Sequence, residues 1–146
     1  MRKQFAMVLA GGILGAGMLA TGYAAEGKPE DTVRYRQSLY NIIGWNFKPM
    51  GAMAKGEIPF DAAAVARHAQ YVELMSQAAP EGFTKGSGPD AVKNTEAKPD
   101  IWTHPDKFKT AMNNFQQESA KLAEVAKAGK EADIKAQFGK TAETCK

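Results

Sequence analysis

The sequence predicts an all-α protein, an antiparallel four-helix bundle that is preceded by an N-terminal signal peptide. Apolar residues recur at three- and four-residue steps in four separate segments, which is the spacing of one helix face. Proline, glycine and acidic residues stand where these segments begin and end, and there is almost no strand signal. Most of the connections are short and one is long, and helices joined by short connections pack as antiparallel neighbours.

The first 24 residues have the parts of a secretory signal peptide. Arg2 and Lys3 form the basic start, an apolar stretch follows, and Ala24 stands where a signal peptidase cleaves. We expect cleavage after Ala24 or the following residue, export to the periplasm, and a bundle domain over residues 25–146. Because glycines interrupt the apolar stretch, a permanent membrane span is the weaker interpretation.

Charge and composition exclude several classes of function. Without Arg2 and Lys3, the 19 basic residues fall to 17 against 16 acidic ones, so the exported domain is nearly neutral and is not expected to bind nucleic acid. One cysteine cannot form an internal disulfide. The sequence has no glycine-rich phosphate loop, cysteine pair or nucleophile elbow, and we do not expect an enzyme.

The first two helices are predicted to flank a short loop. The first begins after residues 28–31, where a proline and two acidic residues suit a helix start, and Pro49 is expected to kink it near its end. Asp61 is a suitable N-cap for the second helix, which is expected to end at about Ala79, before Pro80. The predicted inward residues are Val33, Gln37, Tyr40, Ile43, Phe47, Met50 and Ala54 on the first helix, and Val65, Ala69, Val72 and Met75 on the second.

The last two helices are predicted to follow a long loop over residues 82–100. Such loops in compact domains are often functional. Pro105 suits the first turn of the third helix, Gly129 is a natural stop, and the fourth helix begins at about Glu131. The predicted inward residues are Phe108, Met112, Phe115, Ser119, Leu122 and Ala126 on the third helix, and Ile134, Phe138, Thr141 or Ala142, and Cys145 on the fourth.

Three polar residues near the start of the first helix have the spacing to converge at one end of the bundle. Arg36 and Gln37 lie four and three residues before Tyr40, and such neighbours share a helix face. The alternative is that Arg36 lies at the solvent edge and only Tyr40 is half buried, and the pattern alone favours this alternative. His68 is expected at the surface and His104 at a helix boundary, and neither is expected to bind a metal.

Four separated segments resemble one known family, cytochrome c prime of the class II c-type cytochromes. They are residues 30–37, 56–63, 99–102 and 144–146, and they match in order and with the family's spacing. The resemblance covers essentially the whole chain after the signal peptide. It implies an up-and-down four-helix bundle, as the periodicity does, and it implies haem c as the cofactor.

The resemblance also implies how haem would be attached. The last helix of this family carries Cys-Lys-x-Cys-His, in which both cysteines bind the haem vinyl groups and the histidine is the only protein ligand of the iron. Cys145 and Lys146 match the first two positions, and the printed sequence stops there. We therefore expect a sequence truncated inside this motif, with no axial histidine present. Such a chain is expected to carry negligible covalent haem.

Further site residues are implied position by position. Arg36 and Gln37 match residues that pack against the haem and its propionates, and Tyr40 matches the residue that covers the vacant iron face. The other matched positions are Thr95 and Glu96 in the loop that approaches the haem edge, the apolar pocket residues Phe83, Phe108 and Phe115, and the thioether cysteine Cys145.

The implied function is electron transfer in the periplasm, with an open iron site that binds small gases such as nitric oxide. A redox partner protein and a homodimer are also implied, and Ile42, Met53 and Val72 are candidates for the dimer surface. The alternative is a cofactor-free periplasmic bundle that has lost the haem motif and acts by protein interaction. In that case Cys145 is a free thiol or forms an intermolecular disulfide.

Overall fold

The computed structural model describes residues 28–145, which form four long helices and one short one, with no strand among them. The predicted all-α bundle is confirmed. The predicted signal peptide lies outside the described residues. No helix of the described part is long and apolar enough to cross a membrane. The helices are α1 (Pro29–Lys55), α2 (Ala62–Ala78), α3 (Asp100–Thr103), α4 (Pro105–Ala128) and α5 (Glu131–Glu143), and a 3-10 turn (Ala79–Gly82) follows α2.

Contacts between α1 and α2 show that these helices run antiparallel. The Oδ1 atom of Asn46, in the second half of α1, lies 2.9 Å from Nδ1 of His68 in α2. The Tyr35 hydroxyl, near the start of α1, donates a hydrogen bond to the Glu81 carboxylate beyond the end of α2. The helix α2 also packs on α4, α4 packs on α5, and α5 closes the bundle against α1. His68 is half buried between two helices, so the prediction of a surface histidine is wrong.

Helix ends lie where the capping signals predict them. The Asp61 side chain accepts hydrogen bonds at 2.9 and 3.0 Å from the backbone N–H groups two and three residues on. Gly56 and Gly129, with φ of 77° and 73°, end α1 and α4 in the left-handed conformation that glycine adopts without strain. Pro49 lies inside α1, which continues past it to Lys55.

The inward face predicted for the start of α1 is confirmed at Val33 and Ile43 and wrong at Gln37 and Tyr40. Arg36 and Leu39 are buried, whereas Gln37 and Tyr40 are exposed. The buried face follows Val33, Arg36, Leu39 and Ile43, because α1 is rotated slightly from the predicted stripe. The solvent-edge alternative for Arg36 is therefore also wrong, since only 5% of this residue is exposed.

The rest of the core follows the predicted stripes with local differences. All predicted inward residues of α4 are buried except Phe108, which is half buried. Met75 of α2 and Phe138 of α5 are half buried as well. In α5, Gln137 is buried at the interface with α4, where its side-chain amide donates a hydrogen bond to the Glu118 carboxylate. Cys145 follows the end of α5 and is exposed, so its predicted inward position is wrong.

One buried hydroxyl between the helices lacks a hydrogen bond. Ser119 of α4 is fully buried, and its Oγ has no partner among the described residues. Thr141 of α5 is equally buried, but its hydroxyl lies 3.0 Å from the Glu118 carbonyl across the helix interface. A buried hydroxyl without a partner loses its hydration and gains nothing in return.

We predict that Ser119→Ala leaves the free energy of unfolding unchanged or raises it by up to about 1 kcal/mol, because the change removes an unsatisfied group. Thr141→Val keeps the side-chain shape and removes a satisfied bond between helices, so it should lower the free energy by about 1 kcal/mol. Urea unfolding followed by circular dichroism measures both. A larger loss in Ser119→Ala than in Thr141→Val would contradict the assignment.

Candidate functional site

Two neighbouring cavities lie at the end of the bundle where α1 begins and α5 ends. The larger cavity has a volume of about 910 Å³ and the smaller one about 430 Å³. Tyr40 and Cys145 line both, so the cavities adjoin each other. The larger one is lined also by Arg36, Gln37, Phe83, Lys93, Asn94, Thr95, Glu96, Ala97, Lys98 and Ile101. The smaller one is lined also by Ile43, Gly44, Phe47, Ala111, Met112, Phe115 and Thr144.

The buried guanidinium of Arg36 joins α1 to the long loop. It donates hydrogen bonds to the Gly82 carbonyl at 2.6 Å, to the Ser87 carbonyl at 3.1 Å and to the Thr95 hydroxyl at 2.6 Å. The Ser87 hydroxyl is a fourth, longer acceptor at 3.3 Å. All of these acceptors are neutral. No carboxylate of the described residues forms an ion pair with Arg36.

Burial lowers the pKa of Arg36 from its ordinary value, and the nearby Tyr40 opposes this change. The ordinary value is so high that the guanidinium remains charged. The site therefore contains a buried positive charge at a cavity wall, with neutral partners only. Because a buried charge is stabilised by an opposite charge, this arrangement suits an anionic group of a ligand.

Aromatic side chains pack around Arg36. Its guanidinium carbon lies 4.8 Å from the centre of the Phe83 ring and 5.9 Å from that of Trp102, distances at which a cation and a ring attract. Phe108 packs against Phe83 with 4.7 Å between ring centres. A Cβ at Gly82 would lie 2.8 Å from the Arg36 Cβ, so the loop approaches α1 here as closely as only glycine allows.

A second side chain of α1, Gln37, also binds the loop at the edge of the larger cavity. Gln37 donates from its amide to the Asn94 carbonyl at 2.9 Å, next to the bond between Arg36 and Thr95. The Thr95 hydroxyl oxygen also accepts from the backbone N–H of Ala97 at 3.1 Å. Two successive residues of α1 thus bind two successive loop residues, which positions the loop against the helix.

Tyr40 stands where the two cavities meet. Its ring contacts Phe83 edge-on, with 6.2 Å between ring centres, and its hydroxyl lies 3.9 Å from the Met112 sulfur. Burial raises the pKa of Tyr40, the nearby Cys145 adds to this effect, and Arg36 opposes it. The phenol is therefore protonated at neutral pH and can donate a hydrogen bond.

Cys145 brings a thiol to the mouth of both cavities. Its sulfur lies 3.9 Å from the Thr141 carbonyl, one turn earlier in the chain. Partial burial of the sulfur raises the pKa of Cys145, and a hydrogen bond from Thr144 opposes the change. The thiol form therefore predominates at neutral pH, and the sulfur is accessible from the cavity.

The structure brings together most of the residues that the sequence singled out. Phe108 lines neither cavity and instead supports Phe83. Neither His68 nor His104 lines either of these two cavities, and His104 lies at the predicted helix boundary before α4. The larger cavity contains Arg36, Gln37, Tyr40, Phe83, Thr95, Glu96 and Cys145, and the smaller one contains Tyr40, Phe115 and Cys145.

Sequence reasoning missed the contributions of Lys93, Lys98 and Gly44. The two lysines belong to an aperiodic loop, and the glycine lies inside a regular helix. The only sequence signal for the two lysines at the larger cavity was the number of lysines in the long loop. Among the described residues, no group of three or more histidine, cysteine or acidic side chains is placed to hold a metal ion.

Comparison with known proteins gives one consistent result. The family model described as Cytochrome C' matches residues 31–146. Cytochrome c' of Halomonas halodenitrificans is 37% identical over 122 residues, which are 82% of this chain and 92% of the relative. Cytochrome c' of Rubrivivax gelatinosus is 39% identical over 119 residues, covering 82% and 91% of the two chains.

Solved structures agree with the sequence relatives. The crystal structure of cytochrome c' from Rubrivivax gelatinosus superposes with a TM-score of 0.77 at 37% identity, over 82% of this chain and 91% of that one. A nitric oxide complex of a cytochrome c prime variant from Alcaligenes xylosoxidans superposes with a TM-score of 0.73 at 31% identity, over 82% and 90%. The resemblance found in the sequence is confirmed, and the chain belongs to the cytochrome c' family.

Proposed function

We propose that the complete protein is a periplasmic haem c protein that transfers electrons to or from a redox partner protein and binds small gases such as nitric oxide. Its family membership supports the haem, and a relative that forms a nitric oxide complex supports the gas ligand. The signal-peptide pattern of residues 1–24 supports export to the periplasm.

The residues of the two cavities fit a tetrapyrrole that carries carboxylates at one edge. Cys145 offers a sulfur for a thioether bond, and Arg36 offers a positive charge. Phe83, Tyr40 and Phe115 offer aromatic and apolar walls. When bound, haem supplies the one-electron chemistry and the iron site for a gas ligand.

The residues of this chain have separate roles toward that cofactor. Arg36 would neutralise a carboxylate edge, and Gln37 and Thr95 would orient the loop beside it. Phe83 and Phe115 would exclude water from the ring. Tyr40 would cover part of the space that a ligand enters and offer its protonated hydroxyl, and the Cys145 sulfur would be available for a thioether bond.

The single observation that carries this proposal is the buried charge of Arg36. It lies in a cavity wall, is 95% removed from solvent and is bonded only to neutral acceptors among the described residues. An anionic ligand edge would supply the missing opposite charge. In a cofactor-free interaction protein, the same charge would serve only to hold the loop against α1.

We predict that the purified chain binds added haem with a Soret absorption change, and that Arg36→Gln weakens the affinity at least tenfold. Hydrogen bonds to charged groups contribute about 1.5–3 kcal/mol, and a tenfold change in affinity corresponds to about 1.4 kcal/mol. The matched control is Arg34→Gln, since Arg34 lies on the same helix but is exposed and pairs with Asp31.

Haem dimethyl ester distinguishes charge recognition from a damaged loop. It lacks the carboxylates, so Arg36→Gln should change its affinity much less than that of haem. An equal loss for both ligands would mean that Arg36 acts only on the fold. A chain that binds neither ligand would favour the cofactor-free interaction protein.

We predict that Tyr40→Phe changes the dissociation rate of nitric oxide from the haem-loaded protein several-fold. The substitution removes a hydroxyl that lies between the cavities and keeps the ring that contacts Phe83. Stopped-flow absorbance measures the rate. Tyr71→Phe is the control, because Tyr71 is an exposed tyrosine that lines neither cavity. Identical rates in all three proteins would remove Tyr40 from gas binding.

We also propose that the outer face of α1 and α2 pairs with a second copy of the chain. Trp45 is 79% exposed and Leu74 61%, and Ile42 and Tyr71 are also exposed apolar residues on these two helices. Helix faces of this kind are uncommon on monomers. The prediction that Met53 and Val72 belong to this surface is wrong, because both are buried in the core.

Pairing through this face predicts that Ile42→Ser and Trp45→Ser shift the protein from dimer toward monomer in sedimentation velocity. Burying each apolar side chain contributes about 1.5–3 kcal/mol. Ile58→Ser is the matched control, because Ile58 is 42% exposed against 45% for Ile42 but lies in the loop between the helices. A monomeric wild-type protein at micromolar concentration would contradict the pairing.

A further inference from the structure

Gly44 lies in the middle of α1 and lines the smaller cavity. Glycine disfavours a helix interior relative to alanine, because it loses more backbone freedom on folding. A glycine at such a position usually has a local cause, such as a turn, a positive φ or a close approach of another chain segment. The surroundings of Gly44 decide whether one applies.

None of these causes applies at Gly44. Its φ is not in the left-handed region, and a Cβ built there would meet nothing within 4 Å. Gly82 and Gly51 differ in this respect, since a Cβ would lie 2.8 Å from Arg36 at the first and 3.5 Å from Phe138 at the second. The absence of a side chain at Gly44 therefore leaves open space and relieves no contact.

That space belongs to the smaller cavity. Helical side chains lean toward the N-terminus of their helix, so a side chain at position 44 would lean toward Tyr40, one turn earlier. Tyr40 leaves this space open, because a Cβ at Gly44 would meet none of its atoms within 4 Å. The other lining residues are apolar except Thr144 and Cys145, and Phe47 is one of the apolar ones.

The cavity at Gly44 also adjoins the charged site. Arg36 and Gly44 are eight residues apart on one helix, which corresponds to about 12 Å along its axis. This separation is comparable to the breadth of a substituted porphyrin. Tyr40 and Cys145 line both cavities, so a flat ligand tethered at Cys145 can reach from the charged wall to the apolar one.

We propose that Gly44 sets the width of the smaller cavity and that the space beside it receives the apolar edge of the tetrapyrrole. This inference rests on the proposed haem function and adds a residue that determines which ligands fit. The carboxylate edge lies toward Arg36 and the apolar edge toward Gly44. Glycine at this position makes α1 less stable than alanine would, and it leaves the smaller cavity wider for the ligand.

The test substitutes Gly44 and a matched glycine. Gly139 lies inside α5, is exposed like Gly44, would also place a Cβ in open space, and lines neither cavity. Leucine and alanine are better helix formers than glycine, so Gly44→Leu, Gly44→Ala and Gly139→Leu should each unfold at higher temperature than the wild type. This measurement shows that each variant is folded.

Binding is then titrated with two probes, haem by its Soret absorption and metal-free protoporphyrin IX by fluorescence. Gly44→Leu should weaken both at least tenfold, Gly44→Ala should weaken them less, and Gly139→Leu should bind both like the wild type. The metal-free probe reports the shape of the cavity independently of the iron.

Two results would overturn the inference alone: unchanged affinity in Gly44→Leu, or an equal loss in Gly139→Leu. A wild-type chain that binds neither porphyrin would instead overturn the proposed function, and the inference with it. The two failures are distinguishable because the wild-type titration precedes the comparison of variants.

Discussion

The site depends on one interaction, the set of hydrogen bonds from the buried Arg36 guanidinium to the long loop. Its acceptors lie 46 to 59 residues away in the sequence, at Gly82, Ser87 and Thr95. The loop between α2 and α4 has no long helix or strand of its own to position it. Without these bonds the loop would have little reason to lie against α1, and the larger cavity would lose its rim.

Burying this cation is unfavourable by itself, because neutral acceptors replace only part of its hydration. Contacts with the rings of Phe83 and Trp102 offset part of the cost. The rest of this free-energy cost would be offset when an anionic ligand binds. Arg36 both holds the loop and lines the larger cavity, so a ligand that binds Arg36 would also affect the order of the loop.

The helix α1 contributes residues both to the cavities and to the exposed outer face of the bundle. It brings Arg36, Tyr40 and Gly44 to the cavities, while Ile42 and Trp45 project from another side of the same helix. A helix can carry both surfaces because residues one or two apart face different directions, whereas residues four apart share a face. Pairing of two copies through α1 and α2 would thus leave the cavity side of each chain open to ligands and redox partners.

The sequence by itself determined the helices, their ends and the family. Local signals suffice there: Asp61 caps the next backbone amides, Gly129 provides a left-handed stop, and the stripe from Met112 to Ala126 repeats regularly. The family's motifs also located most of the residues that line the cavities. Only the tertiary structure decided that Arg36 is buried, that Cys145 is exposed at the cavity mouth, and that Gly44 opens a space. A periodic stripe does not specify the rotation of a helix to within one residue, and bonds spanning 46 or more residues leave no local pattern in the chain.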